Sequence, residues 1–293
     1  MGIDVVALQE PAINAFNLTT ASRDWITIYP TTHANAPDKT RSITLISSQI
    51  STDNWNQLDF PSRDVMATQF MGDWGKLTLL NVYNKGNSNT TISMLTKFHK
   101  DNNIAADAEE QARMHLIWLG DFNRHHPYWD NPNDNRLFTR DAIGAAETLI
   151  EAVAEAGLEL ALLAGLPTHI HNVTKRWTRL DQVFISEHSL DLISSCNIWA
   201  DLRGINTDHL PILTELDLTI GINKMVPHLN FRDGDWDDFS KELEKHLATL
   251  EPAVQIIMQR QLDCCCDDLT KAIQGTIELQ VPSTDPTPKS KRW

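Results

Sequence analysis

The amino-acid sequence predicts an α/β layered domain over residues 1–220, followed by a helical segment and a polar tail. Three observations predict it. Short apolar runs bounded by turn residues read as buried strands. Longer stretches between them repeat apolar residues at a helical interval. After residue 220 the strand signal stops.

In chain order, Asp4 to Leu8, Ser42 to Ile46, Val65 to Phe70 and Lys76 to Val82 read as strands. Thr91 to Lys100 then places Ile92, Leu95 and Phe98 on one helical face. His115 to Leu119 returns to strand. Asp141 to Ala156 carries Ile143, Ala146, Leu149, Ile150 and Val153 on one face, with Gly157 positioned as its C-cap. Leu180 to Ile185 and Leu210 to Leu218 complete the strands. Gly221 to Asp235 is loop-like. Trp236 to Leu250 is an amphipathic helix through Phe239, Leu243 and Leu247, and residues 253–279 form a second helix. Residues 221–280 are thus expected to be a helical linker or stub, and 281–293, rich in Pro, Ser, Thr and Lys, a disordered tail.

A chain of 293 residues can bury a sizeable core, and 41% hydrophobic with 22% charged residues describes a globular protein. No apolar stretch approaches the roughly 18 residues that span a bilayer, so no membrane association is expected. The N-terminus lacks a basic region followed by an apolar segment, which points to an intracellular protein. Three of the four cysteines are consecutive, Cys264 to Cys266, so a disulfide framework is not expected and a reducing compartment is. In their helical pattern these three read as buried small hydrophobes. The net charge of −14 argues against a non-specific nucleic-acid clamp. Part of that acid lies on helical faces, and part at strand ends where a divalent cation would offset it.

Those strand ends carry the chemistry. The run Leu116-Ile117-Trp118-Leu119 ends in Gly120-Asp121-Phe122-Asn123, a carboxylate and a carboxamide two residues apart. Such a pair suits orienting and deprotonating a water beside a phosphate. The first strand runs into Gln9-Glu10-Pro11, where the proline ends the ladder and Glu10 offers oxygen to a hard cation. Lys76 to Val82 ends in Tyr83-Asn84. Asp181 begins the strand Leu180-Asp181-Gln182-Val183-Phe184. Thr207-Asp208-His209 places a carboxylate beside an imidazole, a usual means of stabilising negative charge on phosphate.

Together these five segments resemble the endonuclease/exonuclease/phosphatase family, which includes pancreatic deoxyribonuclease and the abasic-site endonucleases. The resemblance covers residues 1 to about 218. The extension Asn123 to Asp130 (NRHHPYWD) is most similar to the endonuclease domain of non-LTR retrotransposons, and Asn230 to Phe239 resembles the connector preceding reverse transcriptase in such elements. The resemblance implies a four-layered sandwich of two mixed β-sheets flanked by helices, and a DNA-nicking phosphodiesterase dependent on Mg²⁺ or Mn²⁺. It implies nuclear action if the chain serves a retroelement.

It also implies roles. Glu10 and Asp208 would hold the metal. Asp121, assisted by Asn123, would activate water, and Asp208 and His209 would meet metal and phosphate. Asp181 would orient His209, and Tyr83 would touch the scissile phosphate. Asn84, Arg124 and His125 would bind substrate. Family members begin with an earlier strand ending in an asparagine that shares the metal. With Met1 nine residues before Glu10, that strand and ligand are expected to be missing and activity impaired.

Two alternatives stand beside the nuclease. One is a phosphatase of the same fold acting on a small phosphorylated molecule. The other is an inactive fragment serving as an interaction module. Several residues have plainer readings as well. Asp121 and Asn123 are good turn formers, Glu10 could be a surface acid, and Asp208-His209 a structural pair. Tyr83 could be packing, and Trp129 and Trp177 core or rim rather than base-stacking surfaces. His125 and His126 are adjacent, so their side chains diverge. His169-Ile170-His171 has a spacing that zinc sites use, but no Cys or acid lies nearby in sequence, and the pair reads as surface loop histidines.

Overall fold

A computed structural model describes residues 2–102, 108–204, 207–219, 228–250 and 258–284. The chain divides into two compact units, Met1–Asn223 and Lys224–Trp293.

The first unit starts with strands β1 (Val5–Gln9), β2 (Trp25–Ile28) and β3 (Ser42–Ser47). Next come β4 (Trp55–Gln57), β5 (Val65–Gly72) and β6 (Gly75–Tyr83), then helices α1 (Thr90–Asn102) and α2 (Ala108–Ala112). Strand β7 (Met114–Asp121), helix α3 (Arg140–Glu155) and β8 (Leu158–Leu160) follow. A small hairpin, β9 (His169–Ile170) and β10 (Trp177–Thr178), precedes β11 (Asp181–Ser186), β12 (Ile193–Ile198) and β13 (Ile212–Leu216).

The central layer is a six-stranded mixed sheet in the order β4-β5-β6-β7-β11-β8. Its neighbours are antiparallel except β6 and β7, which run parallel. A parallel pair needs a long crossover, and α1 and α2 lie within it. Strand periodicity sends alternate residues to opposite faces. Leu80, Val82, Trp118 and Phe184 meet Ile92, Leu95, Ala146, Leu149 and Val153 of α1 and α3 on one face. Leu77, Leu79, Ile117, Val183 and Ile185 bury the other face against a second layer of strands. That layer is antiparallel and in two pieces, β1-β3-β2 and β12-β13. Among the described residues β1 pairs on one side only, with β3.

A fully buried Asn81 joins the layers. Its amide donates to Leu8 O at 3.3 Å and Ile43 O at 2.7 Å, and its carbonyl accepts from Gln9 Nε2 at 2.5 Å. A buried amide with its groups satisfied avoids the desolvation cost of a lone one and fixes how β1 and β3 sit over β6. Helix α3 begins at Thr139, whose hydroxyl accepts from Ala142 N, and ends before Gly157 at φ 61°, as the C-cap reading expects.

The second unit pairs α4 (Trp236–Ala248) with α5 (Gln259–Gln280), and the short strands β14 (His228–Leu229) and β15 (Ser283–Thr284) with each other. Asp235 caps α4 through Asp237 N and Asp238 N. His246 Nδ1 of α4 lies 3.0 Å from Thr276 Oγ1 of α5. The buried positions of α5 are Ala272 and Thr276. Cys264 to Cys266 lie on its N-terminal half and are exposed, correcting the expectation that they are buried. Three consecutive helical residues span most of the circumference, so they cannot share one buried face. The loop expected at 221–235 and the helix expected from 253 lie partly outside the described residues, as does most of the tail expected from 281.

Candidate active site

Strands β6 and β7 end at the same level, so Tyr83 is in register with Asp121. Antiparallel β11 starts beside them, with Asp181 opposite Asp121. All three belong to the alternate set that faces the second layer. They form one row across the carboxyl ends of two strands and the start of a third.

The turn after β7 is built to hold Asp121. Gly120 has φ +129°, and a Cβ there would lie 2.1 Å from Val82 O, so only glycine fits. Asn123 takes φ 50°, which asparagine tolerates. Its backbone N–H donates to Asp121 Oδ1 at 2.9 Å and its Nδ2 to Asp121 Oδ2 at 2.7 Å. Asn123 Nδ2 also reaches Asn84 O at 3.0 Å. Burial, with repulsion from Asp181, raises the Asp121 carboxyl to about 7, partly offset by His209 and the two Asn123 hydrogen bonds.

His209 arrives from the segment before β13. Its Nδ1 lies 2.8 Å from Asp181 Oδ2, and an isolated bridge to His169 fixes its backbone. Burial opposes its charge, but Asp181, Asp121 and Asp208 outweigh it and raise the imidazole to about 9. Asp181 is itself braced. Thr168 Oγ1, fully buried, accepts from Leu180 N at 3.2 Å and Asp181 N at 3.1 Å. The result is an imidazolium–carboxylate pair beside a second carboxylate that holds its proton unusually well.

Tyr83 is half-buried. Burial and a hydrogen bond with Glu10 push its phenol up to about 12. It therefore stays a neutral donor at neutral pH. Arg41 sits 4.7 Å over its ring and is clamped by Asp64 through two 2.8 Å hydrogen bonds. Glu10 is exposed and has φ 49°, a conformation a glutamate rarely adopts. Its carboxylate meets Tyr83. Among the described residues, one group of His, Cys, Asp and Glu brings three ligand atoms within 4.8 Å of one another: His169, Asp208 and His209. Glu10 is not a member.

The three residues expected to bind substrate are placed differently. Arg124 is buried, and its guanidinium donates to Gly86 O, Ser88 O, Asn123 O, Ala145 O and Asn89 Oδ1. With its donors committed to the protein's own acceptors, it is a loop clamp and not a phosphate ligand. Asn84 is fully buried and braces the Asp121 turn, its N–H donating to Asp121 O and its Nδ2 to Phe122 O. His125 is half-buried, with Nδ1 3.2 Å from Asp130 Oδ2. His126 packs its ring, tilted by 47°, against Trp129, which is itself in the core. Trp177 is partly exposed on β10.

Sequence reasoning missed Thr168, Asn172 and the partnership of His169 with His209. Thr168 gives no signal of its own, because its role depends on the hairpin folding back on β11. Asn172 Nδ2 donates to Asp208 Oδ2 at 2.8 Å across 36 residues.

The fold defines the class: a deoxyribonuclease-like α/β domain. Within it, residues 77–213 match the family model described as endonuclease-reverse transcriptase. No curated protein matched in sequence. Among solved structures, the endonuclease domain of TRAS1, a telomere-specific non-LTR retrotransposon, is similar at TM-score 0.56 and 17% identity. That match covers 73% of this chain and 86% of the other. The AP endonuclease LMAP of Leishmania major matches at TM-score 0.56 and 13% identity, over 72% and 77% of the two chains. The 3′ phosphatase NExo from Neisseria, bound to a product DNA hairpin, matches at TM-score 0.51 and 17% identity, over 73% of this chain and 89% of the other.

Proposed function

We propose that this chain is a divalent-metal-dependent phosphodiester hydrolase that nicks DNA, of the retroelement endonuclease kind. The row Tyr83–Asp121–Asp181, with His209 hydrogen-bonded at its end, carries the proposal. It sets a base, a neutral donor and a cation around one edge of the sheet. The similarity of the fold to that of the TRAS1 endonuclease supports the retroelement reading, and the match of 77–213 supports it independently. Nuclear action follows from that reading.

Asp121 accepts a proton from the attacking water. Its raised carboxyl makes it a stronger base than an ordinary aspartate while it is still ionised near neutral pH. Asn123 fixes the carboxylate through both of its oxygens. His209, held as a cation by Asp181, donates to a non-bridging phosphate oxygen as negative charge develops there. Tyr83 adds a neutral hydroxyl donor. The bond to the leaving oxygen breaks to give a 3′-hydroxyl, which takes its proton from solvent.

The donor set fits a hard cation. Glu10 is exposed and Asp208 half-buried, and Mg²⁺ takes one or two carboxylates while keeping water ligands. Asp121, Asp181 and Asp208 all act electrostatically on His209, so acid is concentrated here for a dication to offset. Glu10 and Asp208 would hold Mg²⁺ or Mn²⁺, which would supply Lewis-acid charge to the phosphate.

The test is supercoiled-plasmid nicking with Mg²⁺. Asp121→Ala and His209→Ala are each expected to abolish nicking while leaving circular dichroism essentially intact. Nicking that survives both places the site elsewhere. Similarity to a 3′ phosphatase favours a second reading, removal of phosphate from DNA 3′ ends. A hairpin carrying a 3′-phosphate, offered against intact plasmid, separates the two. Competition by DNA against a small phosphomonoester addresses the small-molecule alternative.

A further inference from the structure

Beside the Asp121 row, hairpin β9–β10 brings His169 to the Asp208-His209 segment. His169 and His209 form a backbone bridge, and their rings lie 4.9 Å apart between centroids. Each ring has its Nδ1 already engaged. That of His169 lies 2.9 Å from Thr178 Oγ1, and that of His209 lies 2.8 Å from Asp181 Oδ2. Both Nε2 atoms are therefore turned to the same place. His169 Nε2 is 3.6 Å from Asp208 Oδ2, and His209 Nε2 is 4.0 Å from Asp208 Oδ1. Asn172 fixes the carboxylate between them.

We infer that His169, Asp208 and His209 form a site for a borderline transition-metal dication such as Zn²⁺, separate in chemistry from the hard cation assigned above. Two imidazoles and one carboxylate, with a fourth position open, are a zinc donor set. Bonds of about 2.1 Å at tetrahedral angles place donor atoms about 3.4 Å apart, and the three ligand atoms already lie within 4.8 Å of one another. Each imidazole has the outer partner that metal-bound histidines use to fix ring orientation. His171, the other member of the His-X-His motif, takes no part. Its Nδ1 accepts from Val173 N and Thr174 N in the hairpin turn.

Occupation by zinc takes His209 Nε2 and Asp208 from the phosphate-cleaving arrangement. Zinc is therefore an inhibitor of the Mg²⁺-supported reaction. This consequence rests on the proposed function, whereas the site itself does not.

The experiment uses the untagged full chain carrying Cys264→Ser, Cys265→Ser and Cys266→Ser, so that exposed thiols do not compete. Zn²⁺ binding is measured by calorimetry, and Co²⁺ binding by visible absorption. The expected result is one ion per chain with a tetrahedral cobalt spectrum. His169→Phe should weaken binding at least tenfold, and His171→Ala should leave it unchanged. Asn172→Ala, which leaves all three ligands in place, should weaken it less than His169→Phe, and it replaces that variant if the latter does not fold. No zinc binding, or equal binding by the parent and both His169→Phe and Asn172→Ala, overturns the inference. So does loss of binding in His171→Ala. In the nicking assay, His169→Phe should keep its Mg²⁺-supported activity and need at least tenfold more zinc for inhibition. A chain that binds zinc as expected but never nicks DNA refutes the nuclease and leaves the site standing.

Discussion

Replacing Asp181 with asparagine should move the entire pH profile of cleavage to lower pH. The side chain keeps its size, and its carbonyl can still accept from His209 Nδ1, now 2.8 Å from the carboxylate. What is lost is charge. His209 reaches about 9 despite burial, with Asp181 supplying both the hydrogen bond and the leading attraction. An opposite charge at this distance moves a pKa by roughly 1–3 units, so removing it should return His209 to about 7. At pH 8 the cationic fraction would fall from about nine-tenths to about one-tenth. The alkaline limb should then retreat by about two pH units. Asp181 also raises Asp121 by repulsion. Its loss lets Asp121 ionise at lower pH, moving the acid limb the same way. NMR titration of the His209 ring, read with the pH dependence of nicking, measures both limbs. A His209 midpoint within half a unit of the parent's (about 0.7 kcal/mol) refutes the charge-pair reasoning.

Other outcomes follow from the same geometry. Gly120→Ala puts a Cβ against Val82 O at φ +129°, and should cost several kcal/mol, on the order of 3, in urea unfolding. Arg124→Met strands five acceptors inside the protein. It should lower stability by about 3 kcal/mol while leaving the KM for DNA unchanged below the melting transition. A KM effect without a stability effect would make Arg124 a substrate ligand after all. In chelator, the Asp121 and His209 contributions to stability should fall as pH rises from about 4 to about 9, against an opposite drift from His99, His115, His126 and His169, whose charged forms burial disfavours. Asp121 and His209 both hold protons more tightly folded than unfolded. The His209 contribution is complete below its unfolded value near 6.5 and disappears as pH passes about 9. The Asp121 penalty grows from about 4 and is complete above about 7. A parent-minus-variant difference in thermal melts, taken against the Asp121→Asn, His209→Gln double variant, that rises with pH across that range would contradict both shifts.

The strands that sequence revealed are those with strong alternation and long apolar runs. β5, β6 and β7 carry both, and their predicted and observed bounds nearly coincide. β12 escaped notice because Ser194, Ser195 and Asn197 dilute its alternation. β2 and β8 are too short to show a period. The row of Tyr83, Asp121 and Asp181 was legible because strand ends are local features, and each of the three follows or opens an apolar run. Contacts that depend on loop closure were not. Arginine in a suspected phosphate site invites the ligand reading, yet the loop at Gly86 and helix α3 at Ala145 close on Arg124 and consume its donors. His169 looked like half of a His-X-His pair. Its real neighbours come from forty residues further on, through a bridge that no local pattern encodes. Cys264 to Cys266 look apolar enough for a core, but the helix has only one short buried strip to offer.

The register that aligns Tyr83, Asp121 and Asp181 also determines which changes of length the chain can survive. Because side chains alternate, deleting one residue within β6, β7 or β11 would turn that strand's site residue into the helix-side core and an apolar residue outward. Lengthening the connections between these strands costs only loop entropy, which grows slowly with length. Variation among descendants of this chain should therefore accumulate as insertions between the strands, where loops can diverge without displacing the row.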